Sequence, residues 1–82
     1  MKYDLVQIRK TLKNKIENCK NDIRHHQEKC KAIIREIEED NYLSLHNENA
    51  YNYEMRQIER LRGELDAYID VMLLCNHVWN EE

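Results

Sequence analysis

Eighty-two residues with no proline, no phenylalanine and a single glycine cannot supply the frequent turns of a sandwich, a barrel or a doubly wound sheet, because turns draw on glycine and proline. Charged residues make up 35% of the chain, and the recurrence of Glu, Lys, Arg, Leu and Ile is the composition of long helices, so one all-α domain over residues 1–82 is expected. The net charge of −3 conceals a split: residues 1–35 carry ten Lys/Arg against four Asp/Glu, and residues 36–82 carry three against twelve.

The first expected element is a helix over about 3–39. Its apolar residues run Leu5, Ile8, Leu12, Ile16, Cys19, Ile23, His26, Cys30, Ile33 and Ile37. Apart from one extra four-residue step at Leu12–Ile16, the spacing alternates three and four, as a coiled-coil seam does. The extra step is a stutter, which locally unwinds a supercoil. A bend follows over about 40–48, where Asp40, Asn41, Ser44 and Asn47 compete with the helix through side-chain hydrogen bonds; Ser44 or Asn47 is the expected cap of the next element. The second helix, over about 49–79, repeats the beat with Tyr51, Ile58, Leu61, Leu65, Tyr68, Met72, Cys75 and Trp79. A single uninterrupted helix is the rival arrangement, and the cap-rich bend argues against it.

The expected fold is therefore an antiparallel two-helix coiled-coil hairpin. Pairing seam residues whose numbers sum to 91 gives layers such as Leu12–Trp79, Cys19–Met72, His26–Leu65 and Ile33–Ile58, each an a position meeting a d position. One seam buries little surface against the entropy of ordering the chain. Residues 68–79 are apolar nearly all round, and a helix of that kind is covered on more than one side. Self-association is expected through Leu5, Ile8, Ile69, Met72, Leu73, Val78 and Trp79, with a dimer forming a four-helix bundle.

No segment resembles a glycine-rich phosphate loop or a nucleophile elbow, and the four histidines are strung along a rod of roughly 50 Å at 1.5 Å per residue. No enzyme activity and no cofactor are expected. His26 and Cys30, four apart on the seam, and Cys75 with His77 are the candidate metal ligands. The bland reading makes His26 a polar layer that fixes register and Cys30 a small hydrophobe. The three cysteines read as reduced thiols of a cytoplasmic protein, since MKYDLVQIRK holds no apolar run suited to a signal peptide and no stretch approaches a membrane span. Lys10, Lys13, Lys20, Arg24, Lys31 and Arg35 form a basic stripe on helix 1, a solvated face or a nucleic-acid contact. At the bend, Glu36, Glu38, Glu39, Asp40, Glu48 and Glu54 gather beside Tyr42, Leu43, Leu45, Tyr51 and Tyr53. Aromatics among acids are the makings of a protein-binding patch, with Tyr42 and Tyr51 alternatively closing the core.

The stretch Cys75-Asn76-His77-Val78-Trp79 is similar to the Cys-x-His-x-Trp segment that follows helical stalks in small proteins of large DNA viruses, where it opens a metal-binding ribbon. The chain stops at Glu82 without the second cysteine pair of such a ribbon. In type it also resembles the small helical proteins by which phages bind and inhibit host proteins, anti-CRISPR inhibitors among them. The resemblance implies an inhibitor acting in the host cytoplasm. The expected function is a homodimeric protein–protein interaction module that engages another protein through its tip. The alternatives are a structural or virion-assembly coiled coil with a Cys/His metal site, and nucleic-acid binding through helix 1.

Overall fold

A computed structural model describes residues 4–81, with side chains from residue 4 to residue 77. Two helices, α1 (Leu5–Asp40) and α2 (Leu45–Glu81), lie against each other as an antiparallel hairpin. The molecule is a rod of 60 × 18 × 14 Å with a radius of gyration of 18.4 Å, against roughly 12 Å for a compact domain of this length.

Both ends of α1 follow from local chemistry. Asp4 is its N-cap: the side-chain Oδ1 accepts from the Gln7 amide at 3.1 Å, satisfying one of the donors that a first turn leaves open. At the other end Asn41 takes φ 52° and ψ 36°, in the left-handed region that Asn tolerates better than most residues. Its amide and that of Tyr42 both return to the Ile37 carbonyl, the bond pattern that terminates a helix. Ser44 then starts α2, its Oγ accepting from the Asn47 amide at 3.0 Å. Ser44 is thus the cap, and α2 begins at Leu45 rather than near residue 49. The bend shrinks to residues 41–44.

The core is one narrow seam. Leu12, Cys19, Ile23 and Cys30 of α1 are buried, as are Ile58 and Leu61 of α2, with Tyr51, Met55 and Leu65 packed alongside. The register differs from the expected one. Cross-helix contacts join Cys19 to Leu61, His26 to Glu54 and Lys15 to Tyr68, so paired numbers sum to 80–83 rather than 91. The displacement is eight to eleven residues, two to three turns of helix, so His26 meets Glu54 where Leu65 was expected and Cys19 meets Leu61 where Met72 was expected. The shorter bend moves the midpoint, and Glu54 occupies the seam step between Tyr51 and Ile58. Glu54 is accordingly buried and does not belong to the acidic group at the bend.

Two substitutions test these backbone assignments. Gly63 lies in the exposed middle of α2 with open space where a Cβ would stand, so Gly63→Ala stabilises the hairpin by about 0.5–1 kcal/mol. Asn41→Ala costs about 1 kcal/mol because alanine lacks the short polar side chain that lets asparagine tolerate the left-handed region, while Asn41→Gly is neutral or slightly stabilising. Urea unfolding followed by circular dichroism measures all three.

Candidate protein-binding tip

The tip is the short bend with the helix ends that flank it. Tyr42, Leu43 and Leu45 are 69%, 53% and 71% exposed, and Tyr53 is exposed as well. Tyr51 is half-buried against the core, so it does close the end of the seam. Glu36, Glu38, Glu39, Asp40 and Glu48 are all exposed, and no Lys or Arg occurs between Arg35 and Arg56. Beside them runs a largely apolar groove of about 210 Å³, lined by Ile34, Ile37, Leu43, Glu48, Tyr51 and Asn52. It is sized for one large apolar side chain, and one acid, Glu48, stands in its lining.

The acids of α1 sit where the helix itself disfavours them. The last turn of α1 contains no basic residue and carries Glu38, Glu39 and Asp40. Carboxylates at the negative end of the helix dipole each cost on the order of 0.3–1 kcal/mol. Nor does the charge split neutralise itself within the hairpin. Among the described residues the ion pairs between the helices converge on Glu54, from His26 and Lys29, while Lys31–Glu28 and Arg60–Glu64 lie within single helices.

The candidate metal ligands are placed otherwise. The half-buried His26 ring contacts the Glu54 carboxylate through Nδ1, and Lys29 Nζ stands 4.0 Å from the other oxygen. His26 is therefore a polar seam layer, and Cys30 is buried one turn along. No group of three His, Cys, Asp or Glu side chains able to hold a metal ion occurs among the described residues. Cys75 is half-buried and His77 exposed. All three cysteines are free thiols. Cys19 Sγ donates to the Leu61 carbonyl at 3.1 Å. Burial pushes the Cys19 thiol up, with Glu64 and Asp22 adding to it; burial, then the Glu54 charge, raises Cys30.

Of the expected self-association residues, Leu5, Ile8, Ile69 and Met72 are half-buried and Leu73 is exposed, while Val78 and Trp79 lie outside the described side chains. The basic stripe residues Lys10, Lys13, Lys20, Arg24, Lys31 and Arg35 are all exposed. Among the described residues no helix is long and apolar enough to cross a membrane. No protein-family model, curated protein or solved structure matches the chain.

Glu54 is the residue that sequence reasoning passed over. Its signal was positional: the three-four beat requires a seam residue at 54 between 51 and 58, and an acid there must find a partner. Glu54→Ala is expected to destabilise the hairpin by about 2–4 kcal/mol, whereas the double change His26→Leu/Glu54→Leu matches or exceeds the native stability. Chemical denaturation of the native protein and these two variants decides the matter. The thiols give a pH test. A thiol that ionises less readily when folded stabilises the fold at neutral pH and loses that contribution as pH rises through the ordinary thiol range, about 8.5. Stability therefore falls as pH rises above about 8.5 and through the raised folded-state range of the two thiols, and falls less in Cys19→Ala/Cys30→Ala.

Proposed function

We propose that this chain is a non-enzymatic protein-interaction module whose tip docks onto a basic protein surface. The observation that carries this reading is the coincidence of the apolar groove with carboxylates held against the α1 dipole. Residues that lower the stability of their own helix and pair with nothing across the hairpin are placed for something outside it. The complementary ligand is an apolar side chain flanked by Lys or Arg. The groove supplies the desolvated anchor point, and the acids of the tip supply steering and orientation. The exposed tyrosines Tyr42 and Tyr53 add contact area at low entropic cost. Masking a basic groove on a host protein is how such a tip would serve as an inhibitor, the role suggested by the chain's likeness in type to small phage- and virus-encoded proteins.

The test is a titration of isotope-labelled protein with a Lys/Arg-rich peptide bearing one central Trp, and with the same peptide bearing Ala. The Trp peptide is expected to shift the amide resonances of Ile34, Leu43, Glu48 and Tyr51, and the Ala peptide to bind at least tenfold more weakly, the equivalent of about 1.4 kcal/mol. Glu38→Lys/Glu39→Lys should weaken binding while raising the unfolding free energy, since the new lysines suit the helix end. Shifts confined to other surfaces, or undiminished binding by the lysine variant, would overturn the tip reading.

A further inference from the structure

The end of the rod opposite the tip is unfinished in the single chain. Arg9 Nε and Asn76 Oδ1 are shielded from water and have no hydrogen-bond partner. Their numbers place them at about the same level of the hairpin, one on each helix. A buried polar atom left unpaired costs on the order of 1–3 kcal/mol, so a donor and an acceptor stranded at one level mark a surface that lacks its cover. Two exposed apolar side chains flank them, Val6 at 61% and Leu73 at 60%. Val6, Arg9, Lys10 and Lys13 line an open groove of about 410 Å³.

The two sides of the seam at this end differ in character. One is the shallow cleft of Lys15, Asn18, Asp22, Glu64 and Tyr68, where Lys15 already lies over the Tyr68 ring at 5.8 Å. By helical spacing, the other side carries Val6, Lys10 and Lys13 from α1 and Asp66, Asp70 and Leu73 from α2. On that side α1 is basic and α2 is acidic, and neither row is engaged in an ion pair across the hairpin among the described residues.

The geometry points to a second copy of this chain as the cover, the two hairpins packing side by side with their tips at the same end. A two-fold axis along the rods lays α1 of each copy over α2 of the other. In the observed register Lys13 then lies level with the partner's Asp70, and Leu73 of each copy enters the groove of Val6, Arg9, Lys10 and Lys13 on the other. The surface is self-complementary, as a two-fold interface requires. Reversing one rod would set α1 against α1, lysine against lysine, and is excluded by that repulsion. Hairpins 18 Å wide need overlap over roughly half their length to bury the ~800 Å² per partner of a standard interface. The overlap ends there, because the two acidic tips repel and diverge. Both tip grooves are left free, so the dimer presents two binding sites in one direction. This inference stands independently of the tip's ligand.

Sedimentation equilibrium on the full chain across the micromolar range is the test. The native protein is expected to be a dimer. Leu73→Asp, an exposed position that leaves helicity unchanged, should weaken it roughly 30-fold or more. Leu74→Asp, on the opposite side, should not. Lys13→Glu and Asp70→Lys should each weaken the dimer, and the two together should restore it. A monomer at every concentration, dissociation by Leu74→Asp but not Leu73→Asp, or a double charge reversal that fails to restore association would each overturn the proposal.

Discussion

The contact between His26 and Glu54 is the constraint around which the hairpin is arranged. An apolar seam that repeats every seven residues is indifferent to a slip of seven, since each Leu or Ile finds another of its kind. A carboxylate and an imidazole inside that seam are not indifferent. Slid by eleven residues into the pairing that sums to 91, His26 would face Leu65 and Glu54 would be buried among aliphatic side chains with nothing to accept from. The pair therefore contributes selection more than stability, because much of the Coulombic gain is offset by desolvation of both groups. The closing geometry of the bend favours the same register. Ser44 caps α2 directly after Asn41 ends α1, so a turn of helix that the slipped register would unwind is retained.

This explains which parts of the structure were legible in the sequence. The helices, their antiparallel packing and the Ser44 cap follow from spacing and side-chain type, because a 3.6-residue period and a capping hydroxyl act locally. The register was not legible from the apolar pattern, because the sum of 91 and the observed pairing are equivalent for Ile, Leu and Cys. The information lay in Glu54, which an apolar tally omits because it is an acid. At the tip, the exposed Tyr42, Leu43 and Leu45 could be named from composition, but the groove beside Ile34 and Ile37 depends on how tightly the chain turns. Tyr51 resolved into a core residue for the same reason. The open end was visible as an apolar excess. Which of its residues face inward was carried by the apolar spacing, which puts Leu5 and Met72 on the seam, where they are half-buried, and leaves Leu73 exposed.

Little of the charge split on this molecule is used between its helices among the described residues. Had the basic first helix and the acidic second served folding, cross-helix ion pairs would line the hairpin; instead those among the described residues meet at Glu54. Exposed pairs would in any case contribute only ~0–1 kcal/mol each. The cost of the arrangement is borne locally, in the carboxylates at the C-terminal end of α1 and in the unpaired polar atoms of Arg9 and Asn76. Departures from local preference at two opposite ends of a rod, with an internally consistent seam between them, separate the parts that hold the fold from the parts that await contact.

A thin rod makes that separation effective. With one seam and no second layer, each segment of the hairpin depends on its immediate neighbours, and a substitution at the tip leaves the open end unaltered. In the proposed dimer, covering the open end would partner the stranded polar atoms and add a second pair of helices to the seam, where burial stabilises far more per residue than in an isolated hairpin. It would also fix the two tips as a pair. In that proposed dimer, two acidic grooves on one body would meet a repeated or extended basic surface with an effective concentration set by the bundle, so modest affinity at each tip would become high avidity for the pair. On that proposal, association at one end and recognition at the other would be coupled through geometry alone, without any change of conformation between them.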